Sequence, residues 1–106
     1  MLDLIEDYYY HLEGADDLSD AQRARRRAFS LVLPVIIENE LTQRQRICLS
    51  YKYVSGKSQQ EIASIVKLSQ PTVSRHINSA KEIVNNKLKY CYAALAAGLE
   101  EYDKTA

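Results

Sequence analysis

Apolar residues recur at spacings of three and four along most of the chain, which is the periodicity of amphipathic helices. In residues 2–13 the repeat consists of Leu2, Ile5, Tyr9 and Leu12. Gly14 suits the end of that helix, since glycine tolerates a left-handed cap conformation. No run of useful length alternates apolar and polar residues with period two. The pattern therefore predicts an all-α fold, a compact domain of about five or six helices.

A second helix is predicted to follow Asp20, and it contains the densest apolar run, from Leu31 to Ile37. Such a run is expected at the centre of the core. Pro34 lacks a backbone N–H and clashes with the preceding turn, so we expect it to kink the helix or to start a new one at Val35. Three arginines share one face of this helix, which is either a solvated basic surface or a patch for phosphate or an acidic partner: Arg23, Arg26 and Arg27.

Three capped elements follow in the middle of the chain. Thr42 with Gln45, and Ser58 with Glu61, have the spacing of capping boxes. Ser69 is the expected cap of a third helix. The positions predicted to face inward are Ile47, Cys48, Tyr51 and Val54 in the first element, Ile62, Ala63, Ile65 and Val66 in the second, and Val73, Ile77, Ala80 and Val84 in the third.

The same periodicity continues to the C-terminus through Leu88, Cys91, Tyr92, Leu95, Leu99 and Tyr102. The third helix either runs on as one long C-terminal helix or breaks near Asn85 and Asn86, which have low helix propensity. A helix over residues 70–102 would be ~50 Å long at ~1.5 Å per residue, longer than a domain of this size. Its end is therefore expected either to complete the core or to form a homodimer through the C-terminal helix.

The 106 residues suit one small domain with one core. We expect residues 1–40 to form bracing or partner-binding helices, 41–88 a helix-turn-helix, and 89–106 a helical extension of the same domain. No stretch approaches the ~20 apolar residues of a membrane span, and the acidic start differs from a secretion signal. Cys48 and Cys91 lie far apart, as is typical of reduced thiols. A cytoplasmic protein without a membrane partner is expected.

The charges are unevenly distributed although the net charge is zero. Residues 1–20 carry a charge of −7 and residues 90–106 a charge of −2, whereas residues 21–89 carry +9. Local asymmetry of this kind matters more for a phosphate-binding surface than the total. The acidic N-terminal segment is either a solvated surface or, as a sharper hypothesis, an inhibitor that folds over the basic surface until a partner removes it.

Two short helices joined by a tight turn place the second helix outward, where its width fits the DNA major groove. Arg75 can hold a guanine through two hydrogen bonds, and Gln70 can pair with an adenine. The first helix can direct its N-terminal backbone N–H groups at a phosphate. The candidate base contacts are Gln70, Thr72, Ser74, Arg75 and Asn78. The candidate phosphate contacts are Arg44, Arg46, Lys57, Ser58, Gln59, Gln60, Ser69, His76 and Lys81.

Residues 41–88 resemble region four of bacterial sigma-70-type RNA polymerase sigma factors. Leu41-Thr-Gln-Arg-Gln-Arg is similar to the start of the helix that precedes that family's helix-turn-helix, and Ser58-Gln-Gln-Glu-Ile-Ala to its first motif helix. Leu68-Ser-Gln-Pro-Thr-Val-Ser-Arg-His-Ile resembles its recognition helix, and that of LuxR/GerE regulators. The resemblance implies promoter-type binding of double-stranded DNA, with Gln70, Thr72, Ser74 and Arg75 at the base-facing positions.

The chain departs from the family pattern in two ways. Lys67 lies where such turns often have glycine, so a left-handed turn there would cost ~1 kcal/mol. Nothing before Leu41 resembles the part of a sigma factor that melts promoter DNA. The expected protein is therefore a stand-alone regulator or one half of a split sigma factor, not a self-sufficient sigma factor.

Functions other than DNA binding are also compatible with this pattern. Helix-turn-helix folds also bind proteins, so the alternative is an interaction module that docks RNA polymerase core or another regulatory protein through its helix-turn-helix fold and its acidic and apolar end helices. An enzyme is not expected. The two histidines and two cysteines show no metal spacing and no nucleophile–base pair, so we predict no catalytic residue, metal or cofactor.

Overall fold

The computed structural model describes residues 20–105, which form four helices and no strand. They are α1 (Asp20–Glu40), α2 (Gln43–Tyr53), α3 (Gln59–Val66) and α4 (Gln70–Thr105). The all-α prediction is confirmed. The described residues form four helices, against the five or six expected for the whole chain, and neither Pro34 nor the Asn85-Asn86 pair ends a helix. The helix predicted over residues 2–13 lies outside the described residues.

The apolar run of α1 is not all core. Phe29, Leu33 and Ile36 recur at spacings of four and three and are buried. Leu31 and Val35 lie on the opposite side of the helix and are 73% and 56% exposed. The prediction that the whole run is central core is therefore wrong, because a continuous helix turns only one face toward the bracing helices. Pro34 is exposed inside α1, and no new helix begins at Val35.

Two hydrophobic clusters hold the described helices together. The bracing cluster joins α1, α2 and α4 and consists of Phe29, Leu33, Ile36, Leu41, Leu49, Ala80, Val84 and Leu88. The motif cluster joins α2, α3 and α4 and consists of Cys48, Ile62, Val73 and Ile77. Because α4 contributes to both clusters, the helix that carries the candidate base contacts is fixed to every other described helix.

The buried face of α2 differs from the predicted one. Cys48 belongs to the motif cluster and Leu49 to the bracing cluster, so α2 lies between the two. This orientation leaves Ile47 and Val54 38% and 65% exposed, although both were predicted to face inward. In α3, Ile62 is fully buried as predicted, whereas Ile65 is 45% exposed. The four inward positions predicted for the first part of α4 are confirmed, since each is fully buried.

The long C-terminal helix is continuous past Asn85 and Asn86. Cys91, Tyr92 and Leu95 are half-buried and pack against the bracing cluster. The rings of Phe29 and Tyr92 lie 6.2 Å apart at 56°, within the range of favourable tilted aromatic pairs. The extension thus packs along α1 at least as far as Leu95. Within residues 20–105, no helix combines the length and apolarity that crossing a membrane requires.

Candidate nucleic-acid interface

A complete capping box fixes the start of α3. The Glu61 N–H donates to Ser58 Oγ at 3.1 Å, and the Ser58 N–H donates to Glu61 Oε1 at 3.2 Å. Hydrogen bonding from the Ser58 backbone N–H, and to a smaller extent from the Ser58 side chain, holds the pKa of the Glu61 carboxyl below its ordinary value. The equivalent box of Thr42 and Gln45 caps α2. Both predicted capping boxes are confirmed.

The turn between α3 and α4 depends on a left-handed lysine. Lys67 has φ 59° and ψ 43°, and it is the only non-glycine residue with positive φ in the described chain. The N–H groups of Lys67 and Leu68 both donate to the Ala63 carbonyl. Leu68 then packs against the motif cluster. The left-handed turn anticipated from the sequence is confirmed at Lys67, where it sets the angle between the two helices.

Side-chain hydrogen bonds connect three residues at the start of α4. Ser69 Oγ accepts from the Thr72 N–H at 3.3 Å and lies 2.8 Å from Thr72 Oγ1. Thr72 Oγ1 also accepts from Arg75 Nη2 at 3.3 Å. Ser69 therefore caps the N-terminus of α4, as predicted. The network also joins two candidate base contacts, Thr72 and Arg75, on the surface of the helix.

The candidate base contacts occupy the first two and a half turns of α4. Gln70, Arg75 and Asn78 are exposed, while Thr72 and Ser74 are half-buried. Sequence reasoning missed Ser79 and Glu82, which are exposed and follow Arg75 at spacings of four and seven. This helical spacing from Arg75 could have indicated from the sequence that both residues lie on the same face. Glu82 brings a negative charge to this face one turn beyond Ser79, which limits how far the face can follow DNA phosphates.

The candidate phosphate contacts lie on all three helices of the motif and in the segments that cap them. Arg46 is held by the end of α1, since its Nη1 lies 3.4 Å from both the Glu38 carboxylate and the Glu38 carbonyl oxygen. Lys57 Nζ lies 3.9 Å from Glu61 Oε2. Arg44, Ser58, Gln60 and Ser69 are exposed, and Arg46, Lys57, Gln59, His76 and Lys81 are half-buried.

Tyr53 brings together lysines from two helices. Lys52 Nζ of α2 lies 5.8 Å from the centre of the Tyr53 ring, and Lys81 Nζ of α4 lies 5.9 Å from it. Attraction between a cation and the ring face offsets part of the repulsion between two like charges. Positive charge is thus concentrated where the end of α2 approaches the middle of α4.

A surface groove of about 400 Å³ runs between α2 and α3. Its exposed apolar side chains are Ile47 and Ile65, and Arg44 lies at its edge. Cys48 is on its wall, where burial raises the pKa of the thiol and the Arg44 charge only partly opposes that effect. A protonated thiol adds to the apolar character of the groove. The groove was not predicted from the sequence, because Ile47 and Ile65 were expected to face inward.

Among the described residues, no group of three or more His, Cys, Asp or Glu side chains is arranged to hold a metal ion.

The model of the family described as Sigma-70, region 4 matches residues 39–83. The match includes all of α2 and α3, the Lys67 turn and the first part of α4. No curated protein and no solved structure matches the chain. The resemblance to sigma-70 region 4 is confirmed, and this family is in general a DNA-binding element that also works with RNA polymerase.

Proposed function

We propose that this chain is a bacterial, cytoplasmic regulator of transcription that binds double-stranded DNA sequence-specifically. It acts as a stand-alone sigma region-four-like factor in promoter recognition or its regulation. The observation that carries the proposal is the exposed first part of α4, where Arg75 is tied to Thr72 and Ser69 above a fully buried inner face. A rigid helix with polar groups on one face is the element that enters a major groove.

In this proposal Arg75 makes the most informative base contact. A guanidinium can donate two hydrogen bonds to the O6 and N7 atoms of guanine. The Thr72 hydroxyl restricts the arginine rotamers before DNA arrives, which lowers the entropy lost on binding. Gln70 and Asn78 carry amide groups suited to adenine, and Thr72 and Ser74 supply hydroxyls for neighbouring base edges.

Phosphate contacts would orient α4 in the groove without reading sequence. The N-terminus of α3 presents backbone N–H groups at Gln59 and Gln60 beside the Ser58 cap, and backbone N–H groups at a helix start attract phosphate. Arg46 uses Nη1 for Glu38 and keeps further N–H donors. The proposed set remains Arg44, Arg46, Lys57, Ser58, Gln59, Gln60, Ser69, His76 and Lys81.

The organisation of the chain follows from this role. We propose that residues 1–40 brace the motif or bind a partner, that 41–88 contact DNA, and that 89–106 extend the same domain. The C-terminal helix was expected either to complete the core or to form a homodimer, and its packing against the bracing cluster favours the first alternative. Along α4, Tyr90 is 70% exposed, whereas Cys91, Tyr92 and Leu95 already pack against the bracing cluster.

A second candidate function is a docking module for RNA polymerase core or another regulatory protein. The groove between α2 and α3 favours it, because exposed Ile47 and Ile65 beside Arg44 would suit an acidic, amphipathic helix. The groove and the base-facing side of α4 are formed by different residues, and Arg44 is the one member of the proposed phosphate set that also lines the groove.

The deciding experiment is selection of duplex DNA from a random pool by the intact chain, followed by affinity measurements across salt concentrations. Replacing Arg75 with Ala should cost ~1–3 kcal/mol at the preferred site. Lys81→Ala is the matched control, because loss of a phosphate contact should weaken all sequences alike and reduce the salt slope by about one. Absence of duplex binding at low salt would leave the docking module as the function.

A further inference from the structure

Helix α1 is apolar on two opposite faces. Its inner face, with Phe29, Leu33 and Ile36, packs into the bracing cluster. Its outer face presents Leu31 and Val35, which are among the most exposed large apolar side chains of the described residues. A helix that is apolar all round is normally covered all round. The outer face of α1 therefore has the character of an interface.

The outer face is a continuous stripe. Exposed Ala24, half-buried Ala28, and exposed Leu31 and Val35 follow one another at spacings of four, three and four. Ala28 lies at the border of this face, because it also lines a pocket with Cys91 and Leu95 of α4. Isolated exposed apolar residues are ordinary on protein surfaces. A stripe with this spacing is the pattern of a helix–helix seam.

The charges that end the stripe fit a second copy of the same helix. Arg27 lies one turn before Leu31, and Glu38 lies close to one turn after Val35. In an antiparallel pair with its twofold axis between Leu31 and Val35, each Leu31 meets the partner copy's Val35. Arg27 of one copy then lies within about 1.5 Å, along the axis, of Glu38 of the other. In a parallel pair, Arg27 of one copy would instead be far along the axis from Glu38 of the other, so the opposite charges could not meet.

We propose that the outer face of α1, defined by Arg27, Leu31, Val35 and Glu38, binds the same face of a second copy in an antiparallel, twofold-symmetric pair. The interface is isologous, as in most homodimers. Glu38 also receives Arg46 of its own chain, and a carboxylate has acceptor sites for both arginines. Each copy keeps its own α4, so a DNA site bound by the pair has two half-sites related by the same axis.

The test is the oligomeric state of the full chain without DNA, measured by sedimentation equilibrium over a range of protein concentrations. The wild-type chain should form a dimer. Leu31→Lys should raise the dimer dissociation constant by roughly tenfold or more, because each copy loses a buried leucine and gains a charge in the seam. Leu31 is exposed, so the variant should keep the wild-type circular dichroism spectrum. Failure of DNA binding would not affect this result.

Two matched controls locate the interface. Ile65→Lys places the same charge in the groove, and Tyr90→Lys places it on the exposed C-terminal helix; neither should change the dimer. Arg27→Glu and Glu38→Arg should each weaken it, and the double variant should dimerise more tightly than Glu38→Arg alone. A wild-type chain that stays monomeric, or a Leu31→Lys dimer of wild-type strength, overturns the proposal. So does a dimer lost with Tyr90→Lys and kept with Leu31→Lys.

Discussion

Arg75 donates from Nη2 to Thr72 Oγ1 at 3.3 Å, so the arginine that we propose as a guanine contact is positioned by a threonine one turn earlier. Thr72→Val removes the hydroxyl with little change of shape. We expect it to weaken binding at the preferred DNA site by about 0.5–1.5 kcal/mol, the usual contribution of one such hydrogen bond. Affinities measured for wild type, Thr72→Val, Arg75→Ala and the double variant form a double-mutant cycle.

The cycle distinguishes positioning from an independent base contact. If Thr72 acts by orienting Arg75, its replacement should have little effect when Arg75 is already Ala, and the coupling energy should be clearly different from zero. Thr72→Ser keeps the hydroxyl and should retain most of the affinity. Strictly additive losses would mean that the observed hydrogen bond does not contribute to recognition.

Lys67 adopts the left-handed conformation at the turn that fixes the angle of α4. A residue with a Cβ in that conformation loses about 1–2 kcal/mol of stability. Glycine avoids this strain, but its larger conformational entropy in the unfolded state costs about 0.5–1 kcal/mol. We expect Lys67→Gly to stabilise the fold by about 0.5–1 kcal/mol in denaturant unfolding. Lys67→Ala, which removes the same charge but keeps a Cβ, should give no such gain. A glycine variant less stable than the alanine variant would contradict the prediction.

Local features of the motif could be predicted from the sequence because a few neighbouring residues determine them. The capping boxes of Thr42 with Gln45 and Ser58 with Glu61 each close within one turn. The strain at Lys67 follows from the geometry of the turn itself. The inner face of α4 was also predictable, since one apolar stripe serves both clusters and leaves no choice of orientation.

Features that depend on neighbouring helices could not be predicted in the same way. Helix α2 has apolar residues on several sides, and only its position between two clusters selects Leu49 rather than Ile47 for burial. The low helix propensity of Asn85 and Asn86 costs only a few tenths of a kcal/mol, which packing of Val84 and Leu88 outweighs. The Thr72–Arg75 contact and the two lysines at Tyr53 depend on side-chain rotamers and on the approach of α2 to α4.

The capping box of α3 predicts a specific pH dependence. Hydrogen bonds from Ser58 lower the pKa of the Glu61 carboxyl from its ordinary value of 4.5. A group whose pKa is lower in the folded state stabilises the fold above its unfolded pKa, and that contribution is lost as the pH falls through the folded value. Glu61→Gln keeps an acceptor oxygen for the Ser58 N–H but does not titrate.

Thermal unfolding of both proteins from about pH 7 to about pH 3 measures this contribution. The stability of the wild type should fall more steeply than that of Glu61→Gln at the acid end of the range. Ser58→Ala serves as a second comparison, because it removes the hydroxyl that accepts from the Glu61 N–H and should cost about 1 kcal/mol near neutral pH. Parallel pH profiles for wild type and Glu61→Gln would show that the box does not stabilise the ionised carboxyl.

The acidic N-terminal segment lies outside the described part of the chain, and its charge suggests that it could compete with DNA for the basic surface. Residues 1–14 contain four acids and no lysine or arginine, whereas residues 21–89 carry a charge of +9. If the segment competes with DNA for the basic surface, its deletion should tighten binding to duplex DNA at low salt, and the gain should shrink as salt screens the charges.

Replacing the four acids, Asp3, Glu6, Asp7 and Glu13, by their amides keeps the segment and removes its charge. This variant should bind as tightly as the truncation if charge is the cause, whereas unchanged affinity in a truncation that still folds would show that the segment is simply a solvated surface.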